Sequence, residues 1–130
     1  MKKELYKILK DIWNGEINME VVSGMEVVSN MKKESELLAL YDECMEFWGL
    51  EKQLRMVQEE CAELILAVSH YLRGREDGHD NLIEELADVR LITDQIIHHF
   101  GKNKIKCIID IKSDYVKRKL EKDKEKEYGI

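Results

Sequence analysis

No proline occurs anywhere in the 130 residues. Proline is the residue that most surely interrupts a helix, so nothing along this backbone forces helical segments apart except its glycines. Between those glycines the apolar residues recur at spacings of three and four, the period of one helical face. Leu, Glu and Lys, all good helix formers, dominate the same stretches. The pattern predicts an all-α chain, an antiparallel four-helix bundle with an N-terminal helical extension.

The extension comes first. Leu5, Ile8, Leu9, Ile12 and Trp13 share one face over residues 3–13, and Asn14-Gly15 breaks it. A tandem duplication follows, MEVVSG at 19–24 and MEVVSN at 25–30. Its valines suit a strand and its Met-Glu pairs a helix, so its secondary structure stays open. From Ser35 a helix carries Leu37, Leu40, Tyr41, Cys44 and Trp48 and stops at Gly49. The next begins near Glu51, with Leu54, Val57, Cys61, Leu64, Ile65, Val68 and Leu72 as its stripe. It ends in the loop RGREDGHDN. Asn81 followed by Glu84 is a capping-box pattern that opens a third helix with Leu82, Leu86, Val89, Thr93, Ile96, Ile97 and Phe100 inward. Gly101 closes it. A fourth helix runs from about Asn103 with Ile105, Ile108, Ile109, Tyr115 or Val116, and Leu120 as its apolar positions. It fades into KRKLEKDKEKE. The organisation expected is an extension over 1–34, one helical domain over 35–120 and a charged tail over 121–130.

An apolar content of 44% is enough for one continuous core. The net charge of −6, without a compensating basic stripe, argues against binding a nucleic-acid polymer. Cys44, Cys61 and Cys107 are an odd number without CxxC spacing and read as buried, reduced thiols. Glu4, Lys7, Lys10 and Asp11 interrupt the first apolar residues, unlike a signal peptide, and no stretch approaches the ~18–20 apolar residues of a membrane span. The expectation is a soluble, cytoplasmic protein with no membrane partner.

The two central helices repeat a pattern, EECAEL at 59–64 and EELADV at 84–89. On a helical wheel Glu60 and Glu63 lie to one side of the stripe of Val57, Cys61, Leu64 and Val68. Glu85 and Asp88 lie at the same offset from Leu82, Leu86, Val89 and Thr93. Antiparallel packing through the stripes would relate the helices by a local two-fold axis and gather the four acids at one edge of the seam. Ala62 and Ala87 would permit the close approach. Each ionised pair ~4 Å apart costs about 4 kcal/mol at an effective dielectric of ~20. Such a group either takes up protons or binds cations. All-oxygen ligation selects a hard ion, Mg²⁺ or Mn²⁺, and Mg²⁺ prefers to share a phosphate ligand. Isolated acid pairs are common on solvated helix faces; the repetition at matched offsets singles out this one. A di-iron bundle would require Glu-x-x-His pairs, which His70, His79, His98 and His99 do not supply.

QEECAEL followed after a spacer by EELADV resembles the EExxE…ExxD signature of the MazG-like, all-α nucleoside triphosphate pyrophosphohydrolases. The likeness covers roughly residues 36–120, including the preceding helix ending FWG, the loop YLRGRED and the basic fourth helix. The resemblance implies hydrolysis of a nucleoside triphosphate to monophosphate and pyrophosphate by water attack on the α-phosphorus. It implies Mg²⁺ held by Glu60, Glu63, Glu85 and Asp88, with Glu59 as orienter or partner of the attacking water. Lys112 and Lys119, with Tyr115 between them, become candidates for the phosphates, and Phe47 and Trp48 for the base. The resemblance further implies a homodimer or a dimer of dimers. A related dUTPase, a phosphoribosyl-ATP pyrophosphohydrolase, or a catalytically idle helical interaction module are the alternatives.

Overall fold

The computed structural model describes residues 33–129. Four helices account for nearly all of them: α1 Glu34–Trp48, α2 Leu50–Leu72, α3 Gly78–Phe100 and α4 Lys102–Tyr128. There is no strand among the described residues, so the all-α expectation holds. The helix expected over 3–13 and the duplication at 19–30 lie outside the described residues. Two compact units divide within α3, one ending at Ile96 and the other beginning at Ile97.

In the first unit, α1 starts after extended Lys33, with Glu34 and Glu36 in its first turn where negative charge favours the helix N-terminus. One residue joins α1 to α2. The Gly49 N–H donates to the Met45 carbonyl at 2.9 Å, ending α1, while its own carbonyl accepts from the Gln53 N–H at 3.2 Å, starting α2. Its φ of 83° is open to glycine and strained for a side chain. The link from α2 to α3 is a tight turn over 73–77, where the Gly78 N–H donates to the Arg75 carbonyl at 2.9 Å. The third helix therefore begins three residues before the expected capping box. The Asn81 N–H already donates to the Asp77 carbonyl at 3.0 Å, which leaves Asn81 inside the first turn instead of capping it.

The antiparallel register of α2 and α3 is constant. Gln53 meets Gln95, Glu60 meets Asp88, Glu63 meets Glu85, and the His70 backbone meets Gly78. The seam thus consists of Gln53, Met56, Glu60, Glu63, Ala67 and His70 against Gly78, Asn81, Glu85, Asp88, Ile92 and Gln95. Both series follow the alternating three-and-four spacing of a coiled-coil seam. Most of these residues are polar.

This corrects the packing expected from periodicity. The apolar stripes of α2 and α3 are each displaced by one residue from the seam, about 100° around the helix. Because both shift in the same sense on helices related by a local two-fold, the stripes lie on one face of the pair. Leu54, Ile65, Val68, Leu72 and Leu86 are exposed, and Val57, Cys61, Leu64 and Val89 half-buried. Periodicity finds the most apolar face, whereas the tightest contact here is made by polar and small residues. Ala62 and Ala87 are exposed and do not mediate the approach. That role falls to Ala67, 1% exposed, and to Gly78. A Cβ on Gly78 would stand 3.0 Å from the Tyr71 Cα and 3.3 Å from the His70 carbonyl oxygen.

In the second unit, α4 runs unbroken through Tyr128 and closes at Gly129, whose N–H donates to the Glu125 carbonyl. KRKLEKDKEKE is helical, and the boundary expected at 120 falls inside the helix. Leu, Lys, Arg and Glu sustain helical backbone well, and no glycine intervenes before 129. Cys107 is exposed on α4, against the expectation of burial. Cys44 and Cys61 are half-buried, and all three cysteines are free. No helix among the described residues is long and apolar enough to cross a membrane.

Candidate metal centre

Glu60 and Glu63 stand one turn apart on α2, and Glu85 and Asp88 one turn apart on α3. One carboxylate oxygen from each lies within 4.8 Å of the other three. The oxygens around an octahedral Mg²⁺ stand at most about 4.2 Å apart, twice the usual bond length, so a small contraction would close them on an ion. The four residues converge as their matched spacing predicts, but in the middle of the seam and not at its edge. Glu85 is buried and the other three are half-buried.

Burial makes the group electrostatically tense. Glu60 Oε2, Glu85 Oε2 and Asp88 Oδ2 are shut off from solvent, and Glu60 Oε2 has no hydrogen-bond partner. Loss of solvent is the first cause that pushes the Glu60 carboxyl up to about 7. The charges of Asp88 and Glu63, a hydrogen bond with Glu63 and the charge of Glu85 add to it. A buried oxygen without a donor and three acidic neighbours is an unfavourable arrangement for a bare carboxylate. The group can hold a metal ion, and a divalent cation would supply the missing partner and cancel the repulsion.

The acids divide between two recesses. Glu60 and Asp88 line a cleft of about 420 Å³ together with Leu40, Tyr41, Cys44, Trp48, Lys52, Gln53, Met56, Leu91, Ile92 and Gln95. Its walls are mainly apolar, and its size falls within the range of small-molecule sites. Gln53 and Gln95 are buried, and the Gln53 Nε2 amide donates to Gln95 Oε1 at 2.5 Å. Buried Tyr41 comes from α1; loss of solvent and then the Asp94 charge raise its hydroxyl pKa, while Arg90 opposes them. Glu63 and Glu85 line a smaller, more polar recess of about 250 Å³ with Leu66, Ala67, His70, Arg75, Asp77 and Asn81. There Arg75 Nη1 lies 3.1 Å from His70 Nε2, and Arg75 Nε lies 3.7 Å from Asp77 Oδ1.

The remaining expected site residues separate. Trp48 lines the larger cleft, with Lys52 Nζ 5.7 Å from its ring centroid. Phe47 does not line that cleft; it is exposed, meets the Trp48 ring edge-on at 5.9 Å and borders a shallower groove with Glu43 and Glu46. Glu59 is exposed and outside the group of four. Lys112, Tyr115 and Lys119 lie on one exposed face of α4, in the second unit. Gln53, Gln95, Lys52, Tyr41, His70 and Arg75 were not foreseen. Heptad steps from the acids reach two of them, since Gln53 is seven residues before Glu60 and Gln95 seven after Asp88. No protein-family model, curated protein or solved structure matches the chain.

Proposed function

We propose that this chain is a MazG-like pyrophosphohydrolase, which cleaves a nucleoside triphosphate into the monophosphate and pyrophosphate. The observation that carries this reading is the four-carboxylate group in a buried helical seam, with an unpartnered Glu60 oxygen and an adjoining cleft large enough for a nucleoside. Four oxygen ligands suit Mg²⁺, with Mn²⁺ as the alternative. When bound, the ion neutralises the triphosphate, polarises the α-phosphorus and activates water.

The chain's own residues supply position. Glu60, Glu63, Glu85 and Asp88 hold the ion, and the fixed register of α2 and α3 keeps them converged without substrate. Trp48 and the apolar wall of the cleft exclude water from the nucleoside side. Glu59, exposed one residue before Glu60, is the partner of the attacking water. Arg75 and His70 offer donors to phosphate beside Glu63 and Glu85. The attacking oxygen bonds to the α-phosphorus, the bridge to the β-phosphorus breaks, and pyrophosphate leaves. No covalent intermediate is required.

The exposed stripes containing Leu54, Val68 and Leu86 support a homodimer or dimer of dimers, because a thin helical layer leaves apolar surface that a second copy can cover. Sedimentation at micromolar protein should show at least a dimer; a monomer with full activity would reject this assembly as a requirement for turnover.

The deciding experiment incubates the protein with Mg²⁺ and a panel of canonical and modified nucleoside triphosphates in ¹⁸O-labelled water. Label in the monophosphate, with unlabelled pyrophosphate, supports α-attack. Label in orthophosphate would mean γ-attack and overturn the mechanism. The same panel separates a dUTPase or a phosphoribosyl-ATP pyrophosphohydrolase by substrate. An idle interaction module would release neither product, and its melting temperature would ignore Mg²⁺.

A further inference from the structure

Two side-chain amides meet across the seam at the floor of the larger cleft. Gln53 and Gln95 are 5% and 6% exposed, and each lies one heptad beyond a carboxylate of the metal group. Their mutual hydrogen bond uses an N–H of Gln53 and the carbonyl of Gln95. A glutamine amide carries two donors and a two-lone-pair carbonyl. The bond therefore leaves the Gln53 carbonyl and the Gln95 amino group for another partner, and both residues line the cleft. Around them Trp48, Met56, Leu91 and Ile92 form an apolar wall. An occupant matching this lining is flat and apolar on its faces, with a donor and an acceptor adjacent along one edge. Those are the properties of a nucleobase. Neither the Gln53 carbonyl oxygen nor the Gln95 amino nitrogen is among the buried atoms left without a partner, so both stay open to the cleft, where an occupant can reach them.

We propose that the Gln53–Gln95 pair reads the hydrogen-bonding edge of a nucleobase inserted beside Trp48, with Glu60 and Asp88 at the same cleft marking the phosphate side. The inference rests on the nucleotide reading of the site and adds its recognition element. It also sets the breadth of recognition. If both amides turn over together, their mutual bond reverses direction, and the cleft is offered a Gln53 amino group and a Gln95 carbonyl. One pair thereby accepts either a keto-bearing or an amino-bearing edge, so uracil-type and cytosine-type bases both bind.

The test needs no turnover. Uridine, cytidine and, as control, ribose are titrated into the ¹⁵N-labelled full chain without divalent ions, following the side-chain NH₂ resonances of Gln53 and Gln95. Both resonances should shift saturably with either nucleoside and stay still with ribose. The double variant Gln53→Met with Gln95→Met should lose nucleoside affinity by at least about tenfold, with Mn²⁺ binding to the acids unchanged. Silent amide resonances with every nucleoside, or a double variant that binds nucleosides as the wild type does, would overturn the assignment. If the variant does not fold, the wild-type resonances decide alone. Shifted amides without pyrophosphate release would reject the hydrolase reading and keep the base reader, and pyrophosphate release with silent amides would do the reverse.

Discussion

At the end of the seam nearer α1, Glu60 and Asp88 open into a 420 Å³ cleft walled by Trp48, Met56, Leu91 and Ile92. At the end nearer the 73–77 turn, Glu63 and Glu85 face a 250 Å³ recess carrying Arg75, His70 and Asn81. The acids between them belong to a repeat, since EECAEL and EELADV place equivalent residues 25 positions apart on α2 and α3. The ends break that repeat. Its equivalences match Gln53 with Gly78 and Ala67 with Ile92, so larger side chains stand at the cleft end and the smallest at the turn. Near-symmetry suffices to converge four carboxylates. Its loss gives the site a direction, mainly apolar at one end and lined by charged side chains of both signs at the other.

The largest effect should come from the shared centre. Glu63→Gln and Asp88→Asn, one from each half of the repeat, should each reduce Mg²⁺-dependent pyrophosphate release by more than about 10³-fold, because each removes a charged ligand. Circular dichroism should show unchanged helicity, and metal-free stability should be equal or higher because repulsion is relieved. Near-normal turnover in either variant would sink the assignment.

Next comes the closed end. Gly78→Ala should destabilise the fold by about 1–3 kcal/mol, since the new Cβ meets backbone that cannot turn aside. Denaturant unfolding measures it. An unchanged midpoint would mean that α2 and α3 do not approach there as closely as described.

Function at the two ends should respond differently. Trp48→Ala should raise KM for the nucleotide about tenfold with little change in kcat, through lost apolar contact. Arg75→Ala should instead weaken inhibition by pyrophosphate by a similar factor, because it removes a cation beside Glu63 and Glu85. Identical profiles for the two variants would erase the proposed polarity.

The smallest effect is a pH dependence. In the metal-free protein the folded state raises Glu60 from 4.5 to about 7, so the folded chain holds this proton more tightly than the unfolded one. The contribution to stability is complete below about 4.5 and is lost as pH rises through about 7. Melting temperature without metal should therefore decline across that window, and Glu60→Gln should flatten the decline. Saturating Mg²⁺ should stabilise most above it, where the ionised ligand is available.

Helix content, the break at Gly49 and the identity of the four acids were legible in the sequence because each rests on local spacing. The seam was not. Leu54, Val57, Cys61 and Leu64 make the strongest apolar signal on α2, yet the neighbouring face carrying Gln53, Glu60 and Ala67 makes the contact. Periodicity assumes that the most apolar face packs, and that assumption fails where acids and amides occupy the interface. The helical course of residues 121–128 was missed for a related reason: their charge suggested a solvated tail, although high helix propensity needs no buried face. Arg75 gave no spacing signal, and the stripe of α1 marked Tyr41 as a packing residue without linking it to the acids, since the relation of both to the site depends on how the turn and α1 meet the helix pair.

The central claim is that the seam is a divalent-metal centre, not merely a set of carboxylates sharing protons. Crystals soaked in Mn²⁺ at about pH 8, above the Glu60 value of about 7, test it most directly through anomalous scattering. The account predicts a strong peak bonded to oxygens of Glu60, Glu63, Glu85 and Asp88. A seam free of anomalous signal at saturating Mn²⁺, with the four acids still converged, would contradict it.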